Sequence, residues 1–214
     1  MVSFQHLPLV LSNFGVQFMR PNTKIFFIGF NKCATTSIHH MMVSSGIRSD
    51  HWERKKENLA LEIASIVKDR GELRRYLRPA TAYSDLGYFS DSLIIEGNKY
   101  FREYHEIFPD AYFVLNDRDL EAWVRSRAGH RKGQLLERFM AFHQASADEV
   151  KDIWRQDHAR HVEAVLKHFS GYGRFLRFYV DRDPPSRLTS FLAPTFRIDP
   201  ASWQKVNATK VRTS

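Results

Sequence analysis

Lys24-Ile25-Phe26-Phe27-Ile28-Gly29-Phe30-Asn31-Lys32-Cys33-Ala34-Thr35-Thr36-Ser37 is the stretch that decides the fold. Lys24 to Phe30 is a short apolar run rich in Ile and Phe and followed by a turn, which reads as a buried strand. Thr35 or Thr36 starts a helix whose Ile38, Met41, Met42 and Ser45 share one face and which Gly46 ends. The unit is strand, polar loop, helix. The first amides of such a helix have no intrahelical partner and carry the positive end of the helix dipole. A lysine and three consecutive hydroxyls around that end make a cradle for a phosphate-like group. The loop is not a Walker A motif, which ends in Gly-Lys-Ser/Thr; here the lysine comes early and small residues plus Thr-Thr-Ser follow. The plainer alternative is a polar N-cap cluster with Lys32 merely solvated.

Outward from that unit, residues 1–22 read as a lead-in closed by Arg20-Pro21-Asn22, and residues 23–214 as one domain. Apolar spacing predicts helices at Asn58–Asp69 (closed by Gly71), Lys99–Ile107 (ended by Pro109), Leu120–Arg127 (capped by Asp119), Ala147–Phe169 and Ser186–Leu192. Strands are expected at Thr81–Asp85, Ala111–Asn116 and Phe175–Val180, with His51-Trp52 near the end of another. Strands alternating with helices predict an α/β fold: a single domain with a central, mostly parallel sheet and helices on both faces. Ligands in such folds bind beyond the carboxyl ends of the strands. Those ends carry Asn31–Ser37, Asp85 and Asn116–Asp119.

Composition narrows the class. The chain has 214 residues, 43% apolar and 26% charged, enough for one sizeable core and against disorder as the main state. Seventeen Phe predict an aromatic-rich core. The net charge of +8 favours anionic partners, which fits a nucleotide-binding enzyme as well as a nucleic-acid binder. The single cysteine, Cys33, excludes an intrachain disulfide. The N-terminus has a short apolar run but no basic segment or cleavage site of a leader, and no stretch has the length of a membrane span. A cytoplasmic location is the expectation. The basic residues are dispersed and follow no nucleic-acid motif, so no nucleic-acid partner is expected.

Lys32-x-x-Thr35-Thr36 after a buried first strand resembles the 5′-phosphosulfate loop of sulfotransferases that use PAPS (3′-phosphoadenosine 5′-phosphosulfate). The wider string Phe27-Ile28-Gly29-Phe30-Asn31-Lys32-Cys33-Ala34-Thr35-Thr36-Ser37 resembles a bacterial branch of that family. The family glycine before Thr-Thr is Ala34 here. Ser37 stands where the cytosolic enzymes carry an adenine-stacking tryptophan. A second motif of the family, an arginine and a serine with seven residues between, is matched by Arg118 and Ser126 at the following strand–helix junction. Such pairs are common alone; this one falls on the right junction in the right order. Tyr83-Ser84-Asp85-Leu86 resembles the catalytic-base segment, and Ser190-Phe191-Leu192 and Trp203-Gln204-Lys205-Val206-Asn207 resemble C-terminal landmarks.

The resemblance implies a P-loop-NTPase-like fold and sulfuryl transfer from PAPS, leaving PAP, to a hydroxyl or amine of a small-molecule or carbohydrate acceptor. It implies that Asn31, Lys32, Cys33, Ala34, Thr35, Thr36 and Ser37 hold the 5′-phosphosulfate, with Lys32 on the bridging oxygen. It also implies that Arg118 and Ser126 hold the 3′-phosphate, where a guanidinium gives a bidentate grip. Asp85 takes the place of the base, which is a histidine in the cytosolic enzymes; His39, His40, His51 and Glu96 are alternatives. Trp52 is a candidate for stacking on adenine or acceptor. Arg131-Lys132-Gly133 reads as a solvated basic loop, and Trp123 and Trp154 as core. No metal is required and no metal-ligand cluster stands out. Rival readings are a P-loop kinase or NTPase, with Asp117 as its metal-binding acid, and a nucleotide-binding pseudoenzyme.

Overall fold

The structure, a computed structural model, describes residues 23–204. The 1–22 lead-in and Lys205-Val206-Asn207 of the last landmark lie outside the described residues. The elements in order are β1 (Ile25–Phe27), α1 (Thr35–Ser44), β2 (Ser49–His51), β3 (Glu53–Arg54), β4 (Glu57–Asn58), α2 (Leu59–Ile66), α3 (Arg70–Tyr76), β5 (Ala82–Ser84), β6 (Gly87–Phe89) and β7 (Ile94–Glu96). They continue with α4 (Phe101–Ile107), β8 (Tyr112–Asp117), α5 (Leu120–Ala128), α6 (Gln134–His143), α7 (Ala147–His168), β9 (Phe175–Tyr179) and α8 (Pro185–Leu192). Short 3₁₀ turns occupy Gly97–Tyr100, His130–Gly133 and Pro200–Ser202.

The main sheet runs β4-β3-β2-β5-β1-β8-β9. Its five strands from β2 to β9 are parallel, and the antiparallel β3–β4 hairpin closes one edge. The expected α/β architecture is thus present as one domain. β1 lies centrally, with Ile25 opposite Ala82 on one side and Tyr112 on the other.

The two-residue alternation of β1 builds both faces. Ile25 and Phe27 pack with Ile38, Met41 and Met42 of α1 and with Leu188 and Leu192 of α8. Phe26 and Ile28 face the other way, against Leu59 and Ile63 of α2, Leu73 of α3, Phe101 and Tyr104 of α4, and Val165 of α7. Phe26 sits within stacked rings, 4.8 Å from Tyr104 and 5.4 Å from both Tyr83 and Phe113. Each such ring, fully buried, contributes about 1.5–3 kcal/mol. A third cluster, with Phe30, Trp123, Phe139 and Trp154, caps the sheet at its carboxyl end, where Trp123 and Trp154 are core as expected.

Three expectations need correcting. The helix foreseen over Asn58–Asp69 is present as α2, capped by Asn58 Oδ1, but ends at Ile66, and an unforeseen helix, α3, begins at Arg70 with Asp69 as its cap, accepting from Glu72 N at 2.9 Å. Gly71 therefore sits in the first turn of α3 rather than closing α2. The Lys99–Ile107 helix begins as a 3₁₀ turn and becomes α-helical only at Phe101. The β3–β4 and β6–β7 hairpins and α6 were not foreseen.

Candidate active site

Across the sheet the five parallel strands lie in the order β2, β5, β1, β8, β9, so the direction of winding reverses beside β1. The helix after β1 lies on the Ile25 face, whereas α7, downstream of β8, packs on the Phe26 face. The carboxyl ends of β1 and β8 therefore flank a switch-point crevice. Asn31–Ser37 leaves one side of it and Arg118 the other.

The loop is held by groups that are not its own. Asn116, fully buried on β8, accepts from Gly29 N–H at 2.9 Å through Oδ1 and donates to the Cys33 carbonyl at 2.8 Å through Nδ2. Trp123 Nε1 donates to the Asn31 carbonyl at 2.9 Å. Gly29 permits the approach, since a Cβ there would lie 1.9 Å from the Asn116 carbonyl oxygen. Cys33 is buried, and its thiol is pushed well up by burial, so it contributes backbone rather than chemistry.

The helix start is left open. Lys32 and Ala34 have φ of 67° and 57°, and Ala34 is the N-cap of α1 with no side-chain cap bond. Alternation into the left-handed region turns successive amides toward one concavity, a nest suited to an anion. Lys32 is half-buried; burial lowers its pKa, Arg118 adds to the lowering and Asp85 opposes it. Arg118, half-buried, donates from Nη1 to the Lys32 carbonyl at 3.5 Å, which sets its guanidinium beside the loop. Ser126 lies half-buried on α5, and its hydroxyl has no hydrogen-bond partner among the described residues.

Asp85 follows β5 in a left-handed conformation, φ 55°. Burial raises its pKa to about 6, against the downward pull of Lys32 and Arg127. It lines a cleft of about 260 Å³ together with Asn31, His51, Trp52, His130 and Arg131. Asn31 Oδ1 is buried there without a hydrogen-bond partner among the described residues. The structure thus brings Lys32, Asp85 and Arg118 into one electrostatic neighbourhood. Of the nine non-glycine residues with positive φ among the described residues, Trp52, Asp85 and Arg131 line the cleft. Strain of this kind collects at functional sites.

Other candidates fall elsewhere. Glu96 is almost fully buried and ion-paired to the wholly buried Arg127, which Phe30, Phe89, Trp123, Phe139 and Trp154 surround. His39 bonds Ser49 Oγ through Nδ1 at 3.0 Å and stacks on His51, so it packs rather than reacts. Arg131 was read as part of a solvated loop; though exposed, it lines the cleft with Asp85. Asp117 is buried, with one oxygen bonded to His158 Nε2 at 2.8 Å and the other to Arg177 at 2.6 and 2.9 Å. Burial opposes ionisation there, but these bonds prevail and lower its pKa. Both its oxygens are engaged, which removes the acid that the NTPase reading needs. Among the described residues no three His, Cys, Asp or Glu side chains converge as metal ligands, and no helix is long and apolar enough to cross a membrane.

The sulfotransferase domain family matches residues 24–183. No curated protein sequence matches the chain. Among solved structures, a sulfotransferase from Alicyclobacillus acidocaldarius is similar in fold, with a TM-score of 0.53 at 14% identity over 88% of this chain and 87% of that one. Since the family match runs through every strand of the parallel sheet and the loop that joins β1 to α1, the chain belongs to the sulfotransferase family.

Proposed function

We propose that this protein transfers a sulfuryl group from PAPS to a hydroxyl, or amine, of a small-molecule or carbohydrate acceptor by in-line displacement. The observation that carries the reading is geometric: Asn31, which opens the anion cradle beside Lys32, lines the same cleft as Asp85, and the Lys32 ammonium and Asp85 carboxylate oppose each other's burial-driven pKa shifts. A donor loop and an acceptor cleft that meet at an acid and a base are what group transfer requires.

Bound PAPS supplies a sulfuryl group attached to a phosphate leaving group, beside a separate 3′-phosphate. The donor set fits both anions. The amides and hydroxyls of Thr35, Thr36 and Ser37, with the backbone of Asn31, Cys33 and Ala34, suit the 5′-phosphosulfate. Lys32 would bond the bridging oxygen and neutralise the negative charge that grows on it as it leaves. Arg118 and Ser126 suit the 3′-phosphate. Asp85 takes the proton from the acceptor hydroxyl. Lys32 and Arg118 carry the charge neutralisation, and no metal ion is invoked. The sulfotransferase domain is proposed to span residues 23–214, and the single thiol supports a cytoplasmic setting.

Calorimetric binding of PAP, ADP and ATP–Mg²⁺ tests the donor. Preference for PAP that disappears in Arg118→Ala is expected; equal or better binding of ATP–Mg²⁺ sinks the proposal. A chain that binds PAP but turns over no acceptor would be a pseudoenzyme.

A further inference from the structure

The cleft around Asp85 has a sign. Two arginines, Arg131 and Arg138, line it against one acid, Asp85. Arg138 is engaged by a neutral group, donating to the Phe89 carbonyl at 2.8 Å. The Arg131 guanidinium has no hydrogen bond, ion pair or ring partner among the described residues. His130, in the same wall, responds to the field. Burial, then Lys32, Arg131 and Arg127, lower its pKa to about 4, so it adds no compensating charge and stays neutral near pH 7.

The wall is also built with strain. Arg131 and Lys132 have φ of 49° and 60°, and Gly133 follows at 96°. This left-handed turn interrupts the run from α5 into α6 and leaves Arg131 at the cleft. Trp52, 42% exposed, shares the left-handed conformation at φ 62°. With Tyr88 and Phe89 it adds flat aromatic surface. The volume of about 260 Å³ falls below the usual span of about 300–1,000 Å³ for small-molecule sites. Room exists for one ring and its substituents.

We infer that the acceptor is a small, ring-bearing hydroxy acid whose carboxylate is held by Arg131 while its hydroxyl meets Asp85. The inference rests on the sulfuryl-transfer reading, because it takes the Asp85 side of the cleft as the acceptor side. A guanidinium recognises a carboxylate by two parallel hydrogen bonds. The unpaired Arg131 supplies that fork, and the aromatic wall supplies a surface for the ring.

The test uses the full chain and two probes that differ in one group, 4-hydroxybenzoate and 4-hydroxybenzyl alcohol. PAP is titrated calorimetrically into the parent, Arg131→Ala and Arg131→Lys, and each probe is then titrated into the PAP complexes. In the parent, the acid binds about tenfold or more tighter than the alcohol. In Arg131→Ala that ratio falls to about one, and Arg131→Lys restores part of it. PAP affinity is the same in all three. Equal or tighter binding of the alcohol, binding of neither probe, or a preference that survives Arg131→Ala overturns the inference. So does a loss of PAP affinity in Arg131→Ala as large as that in Arg118→Ala, which assigns Arg131 to the donor. A parent chain that does not bind PAP overturns the underlying reading instead.

Discussion

His51 Nε2 stands 3.7 Å from the Asp85 carboxylate, at the carboxyl ends of the neighbouring parallel strands β2 and β5. The other ring nitrogen of His51 lies 3.0 Å from Ser84 Oγ, and its ring stacks on His39 at 5.1 Å. Burial, with His40 second, lowers the His51 pKa to about 4. His51 is therefore neutral near pH 7, and Asp85, raised to about 6, is the member of the pair that titrates near neutrality. Its ionised form is the base. The transfer rate is expected to rise with pH through about 6 and then level. Asp85→Asn should lower kcat by about 10²- to 10⁴-fold and abolish that limb, with PAP affinity kept. A fully active Asp85→Asn places the base elsewhere.

The same carboxylate should cost stability. Its folded pKa, about 6, exceeds the ordinary aspartate value of 3.8, so between those values the folded state holds more protons than the unfolded chain. Stability contributed by this group therefore falls as pH rises through that window, and the full cost is present at pH 7. Asp85→Asn removes it and should stabilise the fold by roughly 1–3 kcal/mol at pH 7, with the gain shrinking toward pH 4. Urea unfolding at the two pH values measures this. A destabilised Asp85→Asn at pH 7 contradicts it. The expected variant shows the usual opposition between a strained site and stability, with activity lost and stability gained.

Ala34 offers a milder change. An L-residue in the left-handed region is disfavoured by about 1–2 kcal/mol, and glycine escapes this at the expense of greater freedom in the unfolded chain. With φ at 57°, Ala34→Gly should stabilise by about 0.5 kcal/mol net, read as a small rise in the denaturation midpoint. PAP affinity should stay within about threefold, because the loop already holds the conformation. A stability loss above about 1 kcal/mol would mean that the methyl packs.

Much of the fold was legible because β1 is central and buried on both sides, so its apolar run, the polar loop and the helix face of α1 all appear within one short stretch. The β3–β4 hairpin was not: Glu53-Arg54 and Glu57-Asn58 are two-residue edge strands of polar side chains, with no alternation to detect. α3 was missed because Gly71, in its first turn, reads as the end of the preceding helix, and Asp69, its cap, looks like any helical acid. In the site, the order of Lys32, Asp85 and Arg118 along the chain could be followed, and the segment from Arg131 to His158 read as shaping the acceptor pocket, but the left-handed turn that sets Arg131 at the cleft could not be read. The Glu96 pair was equally hidden. Its cage draws rings from β1's loop, β6, α5, α6 and α7, which no local pattern brings together. Asn116 was placed at a strand end near the site, but its bonds to Gly29 and Cys33 across the loop have no local sequence signal.

Asn116 gives the sharpest test of how the loop is held. Its side chain satisfies Gly29 N–H and the Cys33 carbonyl, one on each side of Lys32, from a position with no exposure. Asn116→Ala leaves both groups without that partner and opens a small cavity. The expected loss is about 2–4 kcal/mol of stability, together with weaker PAP binding, because the carbonyl that fixes Cys33 also fixes the direction of the Ala34–Ser37 amides. Asn116→Asp should do worse: it keeps the acceptor for Gly29, sets an oxygen against the Cys33 carbonyl and buries a charge. Gly29→Ala should be the most damaging, with its Cβ 1.9 Å from the Asn116 carbonyl oxygen. Chemical unfolding and PAP calorimetry on the three variants separate stability from loop order. An Asn116→Ala protein with parental PAP affinity would show that the loop is set by Trp123 and its own backbone alone.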